Sequence, residues 1–152
     1  MSRAVGQEFL IESFTLRHYE AVYDLWDRCP GVGLSSADAR DCIASYLERN
    51  PGMSFIALAG ANVIGAILGG HDGRRGYIHH LAVEESYRRQ GIGRQLVENC
   101  LKALEGAGIQ KCHLFIFHEN DGGIAFWETS DWTLRQDIMV MSKRLVNKEP
   151  GI

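Results

Sequence analysis

A stretch of seven residues contains three arginines and two glycines, and these residue types suit the binding of a phosphate. Arg88, Arg89 and Arg94 supply positive charge, and Gly91 and Gly93 stand just before an apolar pattern of helical spacing. The first N–H groups of a helix lack partners within it, and the helix dipole adds partial positive charge there. Without a Cβ at either glycine, a phosphate can approach these N–H groups closely. The stretch therefore predicts a pyrophosphate cradle.

Comparison with known phosphate-binding sequence patterns shows which type of phosphate site this stretch could form. A P-loop requires Lys-Ser or Lys-Thr after its last glycine, and the chain has no such pair. A Rossmann turn requires a third glycine where this chain has Leu96, and it requires a strand directly before the turn. The pattern that fits is Arg-x-x-Gly-x-Gly, formed by Arg88, Gly91 and Gly93. Its competitor is an ordinary glycine turn with solvated arginines.

The helix that follows the glycines is predicted to be amphipathic. Its apolar positions recur at helical spacing, and charged and amide side chains take the opposite face. The apolar positions are Leu96, Val97, Cys100, Leu101 and Leu104. The helix is therefore expected to pack on a sheet, with Cys100 as a small buried hydrophobe and not an acyl-carrying nucleophile.

The elements that must position this helix alternate between strands and helices. Strands are predicted at 8–14, 53–59, 63–68, 77–83, 111–117 and 133–141, and helices at 18–29, 36–49, 91–106 and 120–129. The chain shows neither an internal repeat nor a linker. This order predicts a single three-layer α/β domain of the α+β type, spanning residues 1–152.

Composition excludes several classes of protein. The 152 residues carry a formal net charge of −3, so the chain has no overall basic field for nucleic acid. Four cysteines without a CxxC pair favour reduced thiols in the cytoplasm. The uncharged, mostly apolar stretch at residues 55–70 is broken by glycines and Asn62, so no membrane span is predicted. The six histidines lack metal-ligand spacing, and no metal is expected.

Two stretches of the sequence resemble the GNAT (GCN-related) superfamily of N-acetyltransferases. The stretch "IHHLAVEESYRRQGIGRQLVENCLKAL" resembles its acyl-CoA-binding motif, and "NDGGIAFWETSDWTLRQDIMVMSKRL" resembles its later helix and closing strand. The resemblance covers most of residues 53–145. It implies a mixed, mainly antiparallel central sheet flanked by helices.

The resemblance also implies a donor and a site for it. The donor is acetyl-CoA, with its pyrophosphate on the backbone of residues 88–94, which include Gln90 and Ile92. Its pantetheine arm pairs like a strand with Leu81, Ala82 and Val83, and the Leu81 N–H polarises the thioester carbonyl as an oxyanion-hole donor. The CoA-binding core is residues 77–132. The resemblance places the acceptor-side helices at residues 15–52.

The second stretch departs from the family pattern. Trp127 stands where the family usually has a tyrosine, and an indole cannot protonate a departing thiolate. Gly123 replaces the usual alanine, and Asp131-Trp132 replaces the usual Gly-Phe. Asn120 matches, and its side chain is expected at the pantetheine arm beside Trp127.

Acetylation of an amine requires a base, because deprotonating an alkyl amine at pH 7 costs about 4–5 kcal/mol. Alternation along residues 77–83 places Tyr77, His79, Leu81 and Val83 on one face, and Ile78, His80 and Ala82 on the other. His79 is therefore the predicted base or relay, as in the arylalkylamine branch that this strand resembles, with His80 as the alternative. Tyr77 is an alternative proton source for the thiolate.

The sequence says less about the acceptor of the acetyl group than about the donor. Four acidic residues on the first two helices could attract a cationic amine, although solvated helix faces explain them equally: Asp24, Asp27, Asp38 and Asp41. We expect the acceptor to be a small-molecule or peptide amine and the acetyl group to be transferred directly in a ternary complex. A homodimer is left open. The alternatives are a catalytically silent acyl-CoA sensor, another acyl donor, or a hydroxyl acceptor.

Overall fold

The computed structural model describes residues 8–146, and within them five strands form one sheet. The strands are β1 (Leu10–Ser13), β2 (Phe55–Ala59), β3 (Asn62–His71), β4 (Gly76–Val83) and β5 (Cys112–Leu114). The α-helices are α1 (Tyr19–Arg28), α2 (Arg40–Arg49), α3 (Ile92–Gly106) and α4 (Asp121–Glu128). Short 3-10 helices span Leu16–His18, Ser36–Asp38 and Glu85–Tyr87.

The chain groups into two compact units. The first runs to Phe115 and holds the sheet with α1, α2 and α3, and the second begins at Ile116 and holds α4. The prediction of one domain over 1–152 stays a prediction, and residues 1–7 and 147–152 lie outside the described part of the chain.

Strand order in the sheet follows the chain, from β1 to β5. The first four strands pair antiparallel, and β5 pairs parallel to β4. The expected mixed, mainly antiparallel sheet is thus confirmed. The parallel pair requires a crossover, which α3 provides after the 3-10 helix Glu85–Tyr87 that follows β4.

Helices cover both faces of the sheet and complete the three layers of the first unit. On one face, Trp26 of α1 and Ile43 of α2 are buried with Ala66 and Leu68 of β3. On the other face, α3 lies so close that a Cβ at Gly76 would stand 2.9 Å from Leu104. The predicted apolar side of α3 is correct, with Leu96, Cys100 and Leu104 all buried.

The predicted closing strand at 133–141 is wrong for this structure. Residues 132–146 form no strand, although Ile138 and Val140 are of types that favour strands. Residue types set a preference, but a strand also requires a neighbour for its backbone hydrogen bonds. The sequence pattern could not show whether that neighbour exists.

The described residues lack two further features. None of the helices within residues 8–146 combines the length and apolarity needed to cross a membrane. In the same part of the chain, no three His, Cys, Asp or Glu side chains gather in a way that could hold a metal ion.

Candidate functional site

A bulge in β4 sets which side chains face the helices α1 and α2. Ala82 pairs with Ala66 and His79 with Leu68, so β4 uses one more residue than β3 between these two pairs. Within this bulge, His80 has a φ of 54°. Residues that pair directly lie on the same face, so His79 and Ala82 both face α1 with Ala66 and Leu68.

The bulge overturns part of the predicted alternation. Val83 pairs with Gly65, which faces α3, so Val83 lies on the opposite face from His79. The expectation that His80 points away from the side of His79 is also wrong, because its ring packs on Trp26 with centroids 5.0 Å apart. Strict alternation assumes one residue on each strand per step, and a bulge breaks that condition. The prediction that Tyr77 and His79 share a face is correct, since their rings stack.

The second half of β4 separates from β5. The two strands pair only from Gly76 to Ile78, opposite Cys112 to Leu114, and in the described residues no strand continues the pairing along 79–83. Two carbonyls in this part bond to side chains: the Trp26 indole N–H donates to His80 O at 2.9 Å, and Arg88 Nε donates to Val83 O at 3.0 Å. The gap leaves Leu81 and Ala82 on a strand edge that a second extended chain could join.

The N-terminus of α3 is open at Gly91. Gly91 is the residue before the helix, has a φ of 83°, and provides no side-chain cap. A Cβ built there meets nothing within 4 Å, and the first turn carries no acidic side chain. Ile92 is 1% exposed and anchors the turn in the core. The predicted cradle thus has its backbone donors at a free helix end with space above them, as a phosphate requires.

The arginines and Gln90 at the cradle differ in their surroundings. Arg88 holds the loop to the end of β4 through Val83 O, and its guanidinium also lies against the Cys29 thiol. Arg89 is exposed and has a φ of 65°. Gln90 is half-buried and Arg94 exposed. Arg88 is therefore tied to the end of β4, and Arg89 and Arg94 are exposed.

His79 lies among aromatic rings. Its ring stacks on Tyr77 at 6.3 Å with an interplanar angle of 7°, and Tyr46 and Phe115 stand 6.1 and 6.3 Å away. Burial lowers the pKa of His79 below its ordinary value, and the neighbouring His80 lowers it further. The imidazole is therefore neutral at pH 7 and has a lone pair to accept a proton.

His80 is held by a carboxylate from the 3-10 helix before α2. Its Nε2 stands 2.9 Å from Oδ1 of Asp38, which is 5% exposed. The other oxygen of Asp38 accepts the Ser35 N–H at 3.0 Å. Sequence reasoning treated four acidic residues alike, but the other three, Asp24, Asp27 and Asp41, are exposed. No local signal distinguishes Asp38, because its partner is 42 residues away in the chain.

The second unit contains the two remaining predicted residues, Asn120 and Trp127. The Asn120 side chain caps α4, with its Oδ1 accepting the Gly123 N–H at 2.9 Å. This side chain lies so near that a Cβ at Gly123 would stand 2.5 Å from Asn120 Nδ2, which explains the glycine. The Trp127 indole packs edge-on against Trp132 at 5.0 Å. The sequence pointed to a ligand contact for Asn120 but not to its capping role.

Comparison with known proteins shows which family this chain is similar to. A model of the acetyltransferase (GNAT) family matches residues 19–131. An acetyltransferase of Sodalis glossinidius is 30% identical over 141 residues, covering 91% of this chain and 99% of that protein. An acetyltransferase of Photorhabdus laumondii is 33% identical over 141 residues, covering 90% and 95%.

Solved structures share the fold at lower identity. Ard1 from Thermoplasma volcanium superposes with a TM-score of 0.74 at 20% identity, covering 84% of each chain. The PaiA N-acetyltransferase from Thermoplasma acidophilum, solved with coenzyme A, has a TM-score of 0.67 at 16% identity and covers 81% of this chain and 88% of its own. Both confirm the expected fold class.

Proposed function

This chain belongs to the GNAT acetyltransferase family, and from that premise we propose that it transfers an acetyl group from acetyl-CoA to a primary amine by direct transfer in a ternary complex. The observation that carries the proposal is the separation of β4 from β5 directly beside the open N-terminus of α3. A strand edge and a phosphate cradle, side by side, suit a ligand with an extended amide-containing arm and a pyrophosphate.

The donor would lie along β4 with its phosphates at α3. The pyrophosphate accepts hydrogen bonds from the backbone of residues 88–94, where Gly91 leaves room for it. The pantetheine arm pairs with the backbone of Leu81, Ala82 and Val83, and the Leu81 N–H donates to the thioester carbonyl oxygen. Such a donor stabilises the oxyanion of the transition state by about 3–4 kcal/mol. Asn120 and Trp127 are the two further residues proposed to bind the donor.

The amine would be deprotonated at His79. The amine nitrogen bonds to the acetyl carbon, its proton passes to the His79 imidazole, and the carbon–sulfur bond breaks to release CoA thiolate. The neutral, half-buried state of His79 supports this assignment. A thiol of ordinary pKa near 8.5 leaves readily as thiolate, so the tyrosine that Trp127 replaces is not essential. The Tyr77 hydroxyl is the alternative proton donor to sulfur.

The acceptor side is built mainly from residues 15–52, with Tyr46 beside His79. Tyr77 and Phe115 add two further rings to this surface, and Phe115 is 63% exposed. The proposed acceptor is a small-molecule or peptide amine. Neither metal nor nucleic acid has a part in the proposal.

We propose the cytoplasm as the compartment and a homodimer as the assembly. All four cysteines are free thiols, as a reducing compartment maintains them. The homodimer is supported by the apolar side chains exposed in residues 138–146, among which Met139 and Met141 are more than nine-tenths exposed. Surface of this kind is typical of a protein interface.

An acceptor screen tests the proposed function. Release of free thiol from acetyl-CoA is followed with polyamines, arylalkylamines, amino acids, aminoglycosides and peptides, and the acetylated product is identified by mass. We expect thiol release that depends on one class of amine and a product heavier by one acetyl group. Parallel reactions with hydroxyl acceptors and longer acyl donors test those two alternatives.

One observation favours a second candidate function. The indole of Trp127 cannot act as the acid of the family's usual tyrosine, so a catalytically silent acyl-CoA sensor is the competitor. Calorimetry separates the two, because a sensor binds acetyl-CoA tightly without turnover on any acceptor of the screen.

A further inference from the structure

Asp38 and His80 form a buried pair that connects the acceptor-side helices to the centre of the sheet. The Asp38 carboxylate is on the 3-10 helix before α2, and the His80 ring is on the bulge of β4. Their side chains are 7% and 18% exposed, and Oδ1 and Nε2 are 2.9 Å apart. This pair lies next to His79, whose ring centroid is 6.4 Å from that of His80.

The carboxylate determines the tautomer of His80. An ionised carboxylate only accepts hydrogen bonds, so Nε2 of His80 must carry the hydrogen that Asp38 receives. In neutral His80 the other nitrogen, Nδ1, then holds the lone pair. A carboxylate bonded to one imidazole nitrogen is the arrangement that orients a histidine base and stabilises its imidazolium form.

The backbone of His80 supports a role beyond packing. A φ of 54° is rare for residues other than glycine, and strained residues of this kind cluster at functional sites. Two contacts hold the conformation: Trp26 donates to the His80 carbonyl and packs its ring against the imidazole. The fold thus fixes both the backbone and the ring of His80.

We propose that Asp38 is a positioning residue that holds His80 as a second proton acceptor beside His79. The inference rests on the proposed acetyl transfer. The proton that His79 takes from the amine passes through one water molecule to Nδ1 of His80, while Nε2 keeps its hydrogen toward Asp38. This restores neutral His79 and places the imidazolium next to a carboxylate. The proton leaves His80 to solvent after the thiolate departs.

The charges around His80 agree with this direction of transfer. His79 faces it from β4, and Asp38 faces it from the acceptor side. From α1, the Tyr19 hydroxyl donates to the Asp38 backbone carbonyl at 2.6 Å, and Arg40 of α2 lies over the Tyr19 ring at 5.7 Å. Asp38 is therefore the anionic group in direct contact with the His80 ring.

Two variants and a control test the pair. Asp38→Asn removes the charge with little change in shape and retains an oxygen for the Ser35 N–H, and His80→Gln removes the imidazole. Glu12→Gln on β1 is the control, since it makes the same carboxylate-to-amide change on an exposed residue. We expect Asp38→Asn and His80→Gln to lower kcat by ~10²-fold or more. The KM for acetyl-CoA should stay within about twofold, and Glu12→Gln should match the parent.

The pH profile separates a chemical role from a structural one. The Asp38 charge raises the pKa of His79, so Asp38→Asn should move the acid limb of kcat, which the proposal assigns to His79, to lower pH. An unmoved limb, together with a loss of thermal stability that accounts for the lower rate, would show that the pair is only a packing contact and would overturn the proposal.

The tautomer of His80 can be measured without any turnover of substrate. Nitrogen-15 spectra of the labelled full-length protein should show that neutral His80 carries its hydrogen at Nε2, and His80→Gln assigns the signal. A Nδ1–H tautomer in the parent would overturn the pairing. If no acceptor in the screen is acetylated, the proposed function and the proton transfer both fail, and the spectra still decide whether Asp38 sets the tautomer.

Discussion

His79 illustrates how the surroundings of a side chain change its acid–base chemistry. In water its imidazole would be partly charged near pH 6.5. Burial against Tyr77, Tyr46 and Phe115 disfavours the charged form, so its pKa falls. The unfolded chain then binds the proton more tightly than the folded chain. The stability that comes from neutral His79 is present above about pH 6.5 and is lost as the pH falls toward the lower folded pKa.

Replacing His79 should reduce turnover without weakening the donor. His79→Ala is expected to lower kcat by ~10²–10⁴, the range for a positioned base, because the proposed donor contacts on β4 are backbone groups. In the parent, activity should rise with pH through the lowered His79 pKa, below about 6.5. In the variant that limb should vanish, and basic pH should restore part of the rate by supplying free amine. Steady-state kinetics across pH and calorimetry with acetyl-CoA check both statements.

The structure decides which histidine can serve as the control for His79→Ala. His80→Ala is unsuitable, since the bulge places its ring on the same side as His79. His118→Ala is a better match, because His118 is exposed. Near-parent turnover of His79→Ala with its acid limb intact would rule out His79 as the base.

At the scale of elements, the cradle depends on a helix and the turn before it. α3 is 15 residues long, and the buried Ile92 and Leu96 hold its first turns to the sheet. Gly91 permits the left-handed backbone that begins the helix, and no neighbouring side chain fills the space above it. A rigid helix thereby presents free N–H groups at a fixed distance from β4.

Gly91→Glu should abolish acetyl-CoA binding in a folded protein. The carboxylate would occupy the space for the pyrophosphate and repel it, and the left-handed φ would cost about 1–2 kcal/mol of stability. Gly108→Glu is a matched control, because Gly108 has a φ of 84° with nothing within 4 Å and lies beyond the other end of α3. Calorimetry and thermal melts compare the two variants. Equal affinity in both would disprove the cradle.

The two arginines before the cradle should weaken CoA binding in different ways. Arg89 is exposed, so the loss from Arg89→Ala should be largest at low salt and shrink as salt rises. Arg88 bonds to Val83 O, so Arg88→Ala should loosen the loop and lower the melting temperature, with a weaker salt dependence. Titrations with CoA and dephospho-CoA at two salt concentrations distinguish pyrophosphate from 3′-phosphate contacts. Unchanged affinity in both variants would leave the arginines as solvated side chains.

At the scale of the whole molecule, the second unit carries apolar surface that the described chain does not cover. Met139 and Met141 are 93% and 97% exposed, and residues 132–146 lack strand pairing. A second copy of the chain would supply both an apolar contact and hydrogen-bond partners for an extended backbone.

The proposed homodimer should therefore depend on this segment. The double change Met139→Glu and Met141→Glu should shift the protein from dimer to monomer, since two carboxylates would be buried without partners. Sedimentation at several concentrations measures the shift, with Gln110→Glu as the charge control on an exposed residue. A monomeric parent at every concentration would refute the homodimer.

The sequence by itself determined the features that depend on neighbours along the chain. The glycine–arginine turn, the amphipathic pattern of α3 and the strand around His79 are all local, and they were enough to identify the family resemblance and the fold class. Their physical causes, periodic burial and free helix-end donors, lie within a few residues of each other.

Only the tertiary structure decided the features that depend on residues far apart. The bulge that turns His80 toward Trp26 arises from the register of β3 against β4, and Asp38 meets His80 across 42 positions of the chain. Alternation cannot reveal an inserted residue, and four similar aspartates cannot reveal which one becomes buried. Whether residues 133–141 form a strand likewise depends on a partner for their backbone. The sequence thus predicts the family and the fold class, whereas packing decides which side chains surround His79 and His80.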